Sequence, residues 1–327
     1  MKSITYLIFS TKWEKLFYKG MKIIMDKTNL PEFLITMLEK QYGTEISKKI
    51  IEGYNKKRLT TFRVNTLKSD INEVENRLIE SNIKYEKVKW NEEAFILNEV
   101  QKSEIENMEI YKEGKIYLQS LSSMLPPIVL EPKQETDILD MAAAPGGKTT
   151  QIAAITNNKA NITACEMNGI RAERLKYNIE KQGATCVYIM KTDARKIDDF
   201  FSFDQILLDA PCSGSGTLNL MDSNLQKNFT LKLIDKSTSS QLALLKKAIK
   251  ILKPGKEMIY STCSILSCEN EEIVKKALVG TKAEIVPINF KNMDELPLLP
   301  TQIKGALCVC PNELYEGFFI VKIRKSI

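Results

Sequence analysis

The sequence has no histidine among its 327 residues. This absence excludes a Ser-His-Asp triad, a Cys-His dyad and most catalytic zinc sites, because each of these needs an imidazole. The seven cysteines form no Cys-x-x-Cys pair, and an odd number in a chain this long does not suggest a disulfide framework. We therefore expect a cytoplasmic protein with reduced thiols and no metal, whose catalytic base is a carboxylate, a lysine, a thiolate or water.

Long apolar segments are also missing. Near the N-terminus, the apolar stretch from Ile4 to Phe9 is too short for the core of a signal peptide or for a bilayer span. We therefore expect no membrane partner. Met21 and Met25 are alternative translation starts, which suggests that residues 1–25 are an extension ahead of the working protein.

Charge of one sign is in only slight excess. Lysine and arginine number 47 against 41 acidic residues, which gives a net charge of +6. This bias is compatible with a nucleic-acid partner but does not establish one by itself. A chain of this length and of 43% hydrophobic composition is typical of a globular protein with about two domains, and we expect a monomer.

The pattern of apolar residues changes once along the chain. Residues 26–115 are predicted to form a small α+β domain, with a helix over 31–57 that is broken at Gly43 and a strand that begins at Leu59. Residues 116–327 are predicted to form a larger domain, in which strands and helices alternate from Thr136 onward. Its seven predicted strands are Asp137–Asp140, Asn161–Glu166, Cys186–Lys191, Asp204–Asp209, Glu257–Ser261, Glu284–Ile288 and Gly317–Ile323. Such alternation is typical of the α/β class with a doubly wound, mostly parallel, Rossmann-like sheet.

Two cysteines each follow the end of a short apolar run. Cys212 comes after Ile-Leu-Leu-Asp209-Ala-Pro, and Cys263 comes after Met-Ile-Tyr-Ser-Thr. Runs of this kind are typical of buried parallel strands, whose carboxyl ends form the edge of the sheet where ligands bind. If the two strands are neighbours, about 4.8 Å apart, both thiols face one cleft.

A glycine-rich loop follows the first strand of the larger domain and reads Asp140-Met-Ala-Ala-Ala-Pro-Gly-Gly-Lys148-Thr. A helix that starts after such a loop offers free N–H groups to a ligand. Gly147-Lys148-Thr149 also matches the end of a phosphate-binding P-loop, but the first glycine of that motif would fall at Ala142. A P-loop nucleotide hydrolase, with Asp209 at the end of its magnesium-binding strand, therefore stays as an alternative.

Carboxylates end the next two predicted strands. Glu166 lies twenty-six residues after Asp140, close to the position where an acidic residue binds ribose hydroxyls in nucleoside-binding α/β folds. Asp193 follows the third strand, where its carboxylate could accept a hydrogen bond from an adenine amino group. The loop and the two carboxylates together predict a site for an adenosine that carries no polyphosphate.

These segments resemble the Sun-type family of S-adenosylmethionine-dependent RNA cytosine-C5 methyltransferases. The resemblance rests on the loop Asp140–Thr149, on Leu208-Asp209-Ala-Pro-Cys212-Ser-Gly, on Tyr260-Ser-Thr-Cys263-Ser and on Glu316-Gly-Phe-Phe-Ile-Val-Lys322. It implies a methyltransferase sheet in residues 116–327, an RNA-binding role for residues 26–115, S-adenosylmethionine as cofactor and ribosomal or transfer RNA as partner.

The resemblance also implies roles for individual residues. Cys263 is the implied nucleophile, and Cys212 the second cysteine, which assists release of the product. The implied cofactor and base pocket consists of Ala142, Ala143, Ala144, Pro145, Gly146, Gly147, Lys148, Glu166, Asp193 and Asp209. DNA cytosine methyltransferases use the Pro-Cys thiol instead, so a DNA enzyme with Cys212 as nucleophile is a further alternative.

The chemistry explains why a cysteine is needed. Carbon 5 of cytosine is a weak nucleophile until a thiolate adds to carbon 6, and cysteine both attacks and leaves readily. With no histidine present, we expect Lys148 and the bound sulfonium to favour the thiolate. Asp209 is placed to hydrogen-bond the N3 and N4 edge of the base.

Basic residues are concentrated in one stretch of the small domain. Lys56, Lys57, Arg58 and Arg63 are predicted to contact RNA, with Lys48 and Lys49 close by. Tyr54 and Phe62 are expected either to stack on bases or to pack in the core. Cys308 and Cys310 receive no functional interpretation.

Overall fold

The computed structural model describes residues 29–327, so the predicted extension over 1–25 lies outside the described residues. The chain first forms α1 (Glu32–Tyr54), in which Gly43 leaves the helical conformation with φ +75°. The predicted break is therefore present, and it divides α1 into two segments. Within residues 29–327, no helix combines the length and the apolar character that crossing a bilayer requires.

The small sheet comprises four antiparallel strands in the order β2-β3-β1-β4. Its strands are β1 (Thr60–Val64), β2 (Tyr85–Val88), β3 (Asn91–Leu97) and β4 (Ile116–Leu118), with helices α2 (Ile71–Glu80), α3 (Lys102–Asn107) and α4 (Glu109–Lys112) between them. Phe62 and Phe95 stack at 5.1 Å in its core, so Phe62 is a packing residue.

The domain boundary differs from the predicted one at residues 115 and 116. Strand β4 pairs with β1, with Leu118 opposite Phe62, and so it belongs to the small sheet. Helix α1, by contrast, packs on the larger domain: the hydroxyl of Tyr42 donates to the carbonyl of Ile265 at 2.6 Å. Both differences arise from contacts between residues far apart in the chain, which local patterns do not contain.

The larger domain contains an eight-stranded sheet in the order β10-β12-β9-β8-β5-β6-β7, with β11 paired to β12. The strands are β5 (Asp137–Asp140), β6 (Asn161–Cys165), β7 (Val187–Met190), β8 (Phe203–Asp209), β9 (Leu252–Thr262), β10 (Ala283–Val286), β11 (Leu307–Val309) and β12 (Phe318–Lys325). Strands β5 to β9 pair in parallel, while β12 runs antiparallel to both of its path neighbours. The predicted mostly parallel, Rossmann-like sheet is confirmed, with the three-residue β11 as an additional eighth strand.

Helices cover both faces of this sheet. They are α5 (Leu121–Leu130), α6 (Gly147–Ile155), α7 (Gly169–Gln182), α8 (Leu225–Asn228), α9 (Leu231–Ile251) and α10 (Glu271–Leu278), with 3₁₀ turns at Ala194–Lys196 and Met293–Glu295. Ile206, Leu207 and Leu208 are all fully buried in β8, as expected for a central strand covered on both faces. Cys308 and Cys310 are also buried, and they pack as small apolar side chains.

Candidate active site

A cleft of about 470 Å³ opens at the carboxyl ends of the central strands. Its lining includes Asp140 after β5, Asp209 after β8 and Cys263 after β9, together with Lys148 from the glycine-rich loop. Parallel strands bring their carboxyl ends to one edge, so side chains that are far apart in sequence meet here.

Cys212 and Cys263 lie on adjacent loops. Strands β8 and β9 are parallel neighbours, with Asp209 opposite Ser261, and the N–H of Ala210 donates to the carbonyl of Ser261 at 2.8 Å. The two Sγ atoms are 3.0 Å apart. Cys263 lines the cleft, and Cys212 lies beside it. The hydrogen bond to Cys263 and burial raise the pKa of Cys212 well above its ordinary value.

Lys148 and Asp209 form an ion pair in the wall of the cleft. The Nζ atom of Lys148 lies 2.7 Å from Oδ2 of Asp209 and donates to Oγ of Ser123 at 2.8 Å. The other oxygen of Asp209 accepts from Oγ of Ser261 at 2.8 Å. Burial by itself lowers the pKa of Lys148, but the nearby Asp209 carboxylate outweighs it, so the pKa of Lys148 is raised.

This ion pair bears on the P-loop alternative. A P-loop lysine must reach the terminal phosphates of a nucleotide. The Lys148 side chain is only 13% exposed, and its charge is already neutralised by Asp209. Binding of a triphosphate would break this ion pair, and the arrangement therefore disfavours a nucleotide hydrolase.

The glycine-rich loop lines the cleft with small side chains. Gly146 adopts φ +110° and immediately precedes α6, a conformation that favours glycine. Gly147 faces Tyr117, and a Cβ atom there would lie 3.1 Å from the tyrosine ring. The loop residues that contact the cleft are Ala142, Ala143, Ala144, Pro145, Gly147 and Lys148.

Asp140 fixes the start of this loop. Its carboxylate is buried, accepts from Oγ1 of Thr149 at 2.7 Å and lies 3.4 Å from the N–H of Ala142. Burial raises the pKa of Asp140 to about 6. Asp140 lies in the sequence motif, but the motif by itself predicted no role for this residue.

Glu166 and Asp193 meet at a second recess of about 70 Å³, which shares Ala142 with the main cleft. Glu166 is 4% exposed and accepts from the N–H of Asn168 at 2.8 Å. Asp193 is paired with Arg195, whose Nη2 lies 2.6 Å from Oδ2, and this hydrogen bond lowers the pKa of Asp193. The two carboxylates thus lie together, beside the glycine-rich loop with which they are predicted to form an adenosine site.

The predicted RNA-binding residues separate into two groups. Lys56 and Lys57 are exposed, and Arg58 is half-buried, with Nη2 3.4 Å from the carbonyl of Gly216. The prediction for Arg63 is wrong, because its side chain is completely buried. It lies in the central strand β1, which is covered on both faces, and so it cannot contact RNA.

Arg63 instead connects the small domain to the glycine-rich loop. Its Nε donates to Oε1 of Gln119 at 3.0 Å, while Nη2 donates to the carbonyl of Gly147 and to Oγ1 of Thr150 at 3.2 and 2.8 Å. Burial lowers the pKa of Arg63 to about 10. No carboxylate forms an ion pair with Arg63 within residues 29–327, so these neutral oxygens provide its hydrogen bonds.

The sequence predicted no role for some residues of the site, although Ser261 and Glu316 lie in segments that carry the family resemblance. Ser123 accepts from Lys148, Ser261 donates to Asp209, and the carboxylate of Glu316 accepts from Oγ of Ser120 at 2.7 Å. Serines give little pattern of their own, and the segments with Ser123 and Glu316 are far from the cysteines in sequence. Only the fold reveals that Ser120, Ser123 and Glu316 line one cleft.

Comparisons with known proteins point to one family. A family model described as 16S rRNA methyltransferase RsmB/F matches residues 127–324, which is more than half of the chain. A second model, for the RsmF/B-like ferredoxin-like domain, matches residues 30–103.

Individual relatives match over most of the chain. Ribosomal RNA small subunit methyltransferase F of Shewanella sp. (strain MR-7) is 33% identical over 275 residues, which cover 81% of this chain and 56% of the relative. The probable ribosomal RNA small subunit methyltransferase B of Bacillus subtilis (strain 168) is 30% identical over 307 residues, or 92% and 67% of the two chains. This chain thus spans just over half the length of the Shewanella relative.

A solved structure, the methyltransferase homolog protein from Pyrococcus horikoshii, superposes with a TM-score of 0.80 at 31% identity. The match covers 94% of this chain and 99% of that one. The similarity therefore extends over both domains.

Proposed function

The chain belongs to the 16S rRNA methyltransferase RsmB/F family, and from this premise we propose that it transfers a methyl group from S-adenosylmethionine to carbon 5 of a cytosine in RNA. Ribosomal RNA is the substrate class that the names of the relatives indicate. The observation that carries the proposal is the position of Cys263, which lines the same cleft as the Lys148–Asp209 ion pair.

The residues present fit S-adenosylmethionine better than a nucleotide triphosphate. The loop Ala142–Gly147 is small and uncharged, Lys148 is already neutralised, and the recess beside the loop carries Glu166 and Asp193. Carboxylates at such positions suit ribose hydroxyls and an amino group rather than phosphates. When bound, S-adenosylmethionine supplies an electrophilic methyl group.

Cys263 performs the covalent step on the base. Its thiolate forms a bond from Sγ to carbon 6 of cytosine, and the displaced electron pair makes carbon 5 able to accept the methyl group. Carbon 5 then loses its proton to a base, and the bond between Sγ and carbon 6 breaks, which returns the electron pair to Cys263.

Asp209 is the residue best placed to hold the cytosine. Oγ of Ser261 and Nζ of Lys148 fix its two oxygens, so the carboxylate keeps one orientation at the end of β8. A fixed acceptor beside Cys263 can accept a hydrogen bond from the N4 amino group of the cytosine and so orient the ring for attack.

The choice of Cys263 over Cys212 rests on access. Cys263 lines the cleft, whereas Cys212 lies beside it with a raised pKa. A thiol with a raised pKa is a poor nucleophile near neutral pH because little of it is thiolate. We therefore assign product release to Cys212, and we disfavour the DNA-type mechanism in which Cys212 attacks.

Lys56 and Lys57 are proposed to guide RNA to this cleft. They follow α1, whose last residue Tyr54 donates from its hydroxyl to the carbonyl of Ser215 at 2.5 Å. Ser215 lies two residues before Thr217, which lines the cleft. The exposed lysines thus lie on a segment attached to the edge of the cleft, where cations can bind the phosphates that flank the target base.

Trapping on modified RNA tests the proposal. An RNA that contains 5-fluorocytosine cannot lose a proton from carbon 5, so it should remain covalently bound to the enzyme after methyl transfer. We expect a denaturation-resistant adduct with the unmodified protein and with Cys212→Ala, but none with Cys263→Ala. The reverse result would establish Cys212 as the nucleophile, and an adduct only with a matched DNA would overturn the RNA assignment.

A further inference from the structure

A buried carboxylate joins the two cysteine loops. Glu269 is completely buried and lies six residues after Cys263, in the segment that leads into α10. Its Oε1 accepts from the N–H of Ser213 at 2.7 Å, and its Oε2 accepts from the hydroxyls of Ser213 and Ser264 at 2.5 and 2.6 Å. Ser213 directly follows Cys212, and Ser264 directly follows Cys263.

Among the residues that the structure describes, 29–327, the groups that donate to this carboxylate are all neutral. Besides the two serines, the side-chain amide of Gln241 in α9 lies 3.4 Å from Oε1. An ionised carboxylate can only accept hydrogen bonds, and both oxygens of Glu269 act as acceptors here. The charge of Glu269 contributes to the raised pKa values of the neighbouring Cys212 and Tyr260.

The neighbouring contacts make the two loops one rigid unit. The hydroxyls of Ser215 and Ser264 are 2.8 Å apart, and Oγ of Ser215 accepts from the N–H of Ile265 at 3.0 Å. Asn270, next to Glu269, accepts from Oγ1 of Thr262 at 2.6 Å. The separation of 3.0 Å between the two sulfurs is thus set by a polar network that is centred on Glu269.

On the basis of the proposed function, we propose that Glu269 is a positioning residue that fixes the two cysteine loops and makes their sulfurs unequal. The hydrogen bond to Cys263, burial and the negative charge of Glu269 all raise the pKa of Cys212, which favours its thiol form. The charged and titratable groups that face Cys212 are Cys263, Glu269 and the buried Tyr260, while Lys148 lies on the side of Cys263.

This assignment refines the end of the reaction. A Cys212 that stays protonated cannot take the proton from carbon 5, so that proton goes to water. The S–H group of Cys212 can instead donate a hydrogen bond to Sγ of Cys263 as the bond to carbon 6 breaks and the electron pair returns to that sulfur. Cys212 thereby assists release as a hydrogen-bond donor.

Site-resolved alkylation tests the proposal without RNA or methyl donor. Iodoacetamide labelling of Cys212 is followed against pH by peptide mass spectrometry in Cys263→Ala, which removes the influence of the second sulfur. We expect the labelling midpoint of Cys212 to remain above the ordinary thiol value of about 8.5. A midpoint at the ordinary value would overturn the proposal, and this arm does not depend on any change at Glu269.

Neutralising Glu269 provides the second arm. Cys263→Ala combined with Glu269→Gln should move the Cys212 midpoint down by about one pH unit, or raise the labelling rate at pH 8 about tenfold. Glu269→Asp, which keeps the charge, should restore the higher midpoint. An unchanged midpoint in a folded Glu269→Gln protein contradicts the proposal.

Glu271 supplies a matched control. It is also buried and lies two residues further along, but it faces Tyr42 and Cys308. Glu271→Gln should leave the Cys212 midpoint unchanged, and an equal shift in that variant would mean that Glu269 has no special role. The labelling experiment requires neither RNA nor S-adenosylmethionine. Failure of the unmodified protein to form the 5-fluorocytosine adduct would therefore overturn the proposed function without affecting the labelling result.

Discussion

The ammonium group of Lys148 lies 2.7 Å from the carboxylate of Asp209, and this single ion pair joins the glycine-rich loop to the strand end that precedes Cys212. Lys148 is expected to contribute to the cofactor side of the cleft, and Asp209 to the side that holds the base. The pair therefore couples the two halves of the reaction that we propose.

Removing either member of this pair should slow methyl transfer. We expect Lys148→Met and Asp209→Asn each to lower the single-turnover rate by about 100-fold or more, as is typical for groups that assist proton or charge movement. The double variant should lose much less than the product of the two effects, because both changes remove the same interaction.

Transfer of a labelled methyl group to RNA measures these rates. Lys159 is exposed and lies away from the cleft, so Lys159→Met serves as the matched control and should retain full activity. Fully multiplicative effects of Lys148→Met and Asp209→Asn would show that the two side chains act independently.

The conformation of Gly146 should be needed for binding of the methyl donor. At φ +110°, an alanine is strained, so Gly146→Ala is expected to destabilise the loop by about 1–2 kcal/mol and to weaken binding. In the unmodified protein, S-adenosylhomocysteine at about 100 times its Kd should stabilise the fold by about 2.7 kcal/mol, whereas ATP with Mg²⁺ should have no effect.

Thermal shift with each ligand tests this. Gly169 is the matched position, because a Cβ atom there meets nothing within 4 Å and its φ is not in the left-handed region. Gly169→Ala should leave both stability and ligand response nearly unchanged. Stabilisation by ATP with Mg²⁺ would instead favour the nucleotide hydrolase.

Asp140 should make stability fall as pH rises. Burial raises its pKa to about 6 from an ordinary value of 3.8, so between these values the folded state binds more protons than the unfolded state. The free energy of unfolding therefore loses a contribution on the order of 3 kcal/mol between about pH 4 and pH 7.

Asp140→Asn isolates this contribution, since the other titrating groups are common to both proteins. The unfolding free energy of Asp140→Asn minus that of the unmodified protein should increase from pH 4 to pH 7, as followed by urea denaturation. A difference that is flat across this range would contradict the raised pKa of Asp140.

The sequence was sufficient to predict the larger sheet because its strands have strong local patterns. Buried runs such as the one that ends at Asp209 are apolar throughout, and each is followed by a turn and a helix. Strand β11 was not predicted because it has only three residues and depends on pairing with β12. The packing of helix α1 on Ile265 was not predicted, since it is a contact across more than 200 residues.

The candidate site was predictable only where chemistry and position coincide in a short motif. The cysteines and the glycine-rich loop satisfy this condition. Glu269 does not, because its importance arises from contacts with Ser213 and Ser264 that only the fold creates. Arg63 was predicted to contact RNA because arginine is usually exposed. The neutral oxygens that hold its side chain in the interior come from distant segments, which local sequence does not reveal.

Arg63 is buried and the two lysines are exposed, which gives a final prediction. Replacing Arg63 should lower the stability of the protein, whereas replacing the lysines should weaken RNA binding. Arg63→Met leaves the oxygens of Gln119, Gly147 and Thr150 without their buried donor, and each such group costs about 1–3 kcal/mol. We expect a large loss in the free energy of unfolding, with little change in how RNA affinity depends on salt wherever the variant is folded.

The double variant Lys56→Ala, Lys57→Ala should behave in the opposite way. Both side chains are exposed, so its stability should stay within about 0.5 kcal/mol of that of the unmodified protein. Log affinity falls as log salt rises. If both lysines contact phosphates, the magnitude of this negative slope should become smaller by about 1 to 2, because fewer counterions are released on binding. Filter binding of RNA over a series of salt concentrations measures this slope, and an unchanged slope would remove the two lysines from the RNA-binding surface.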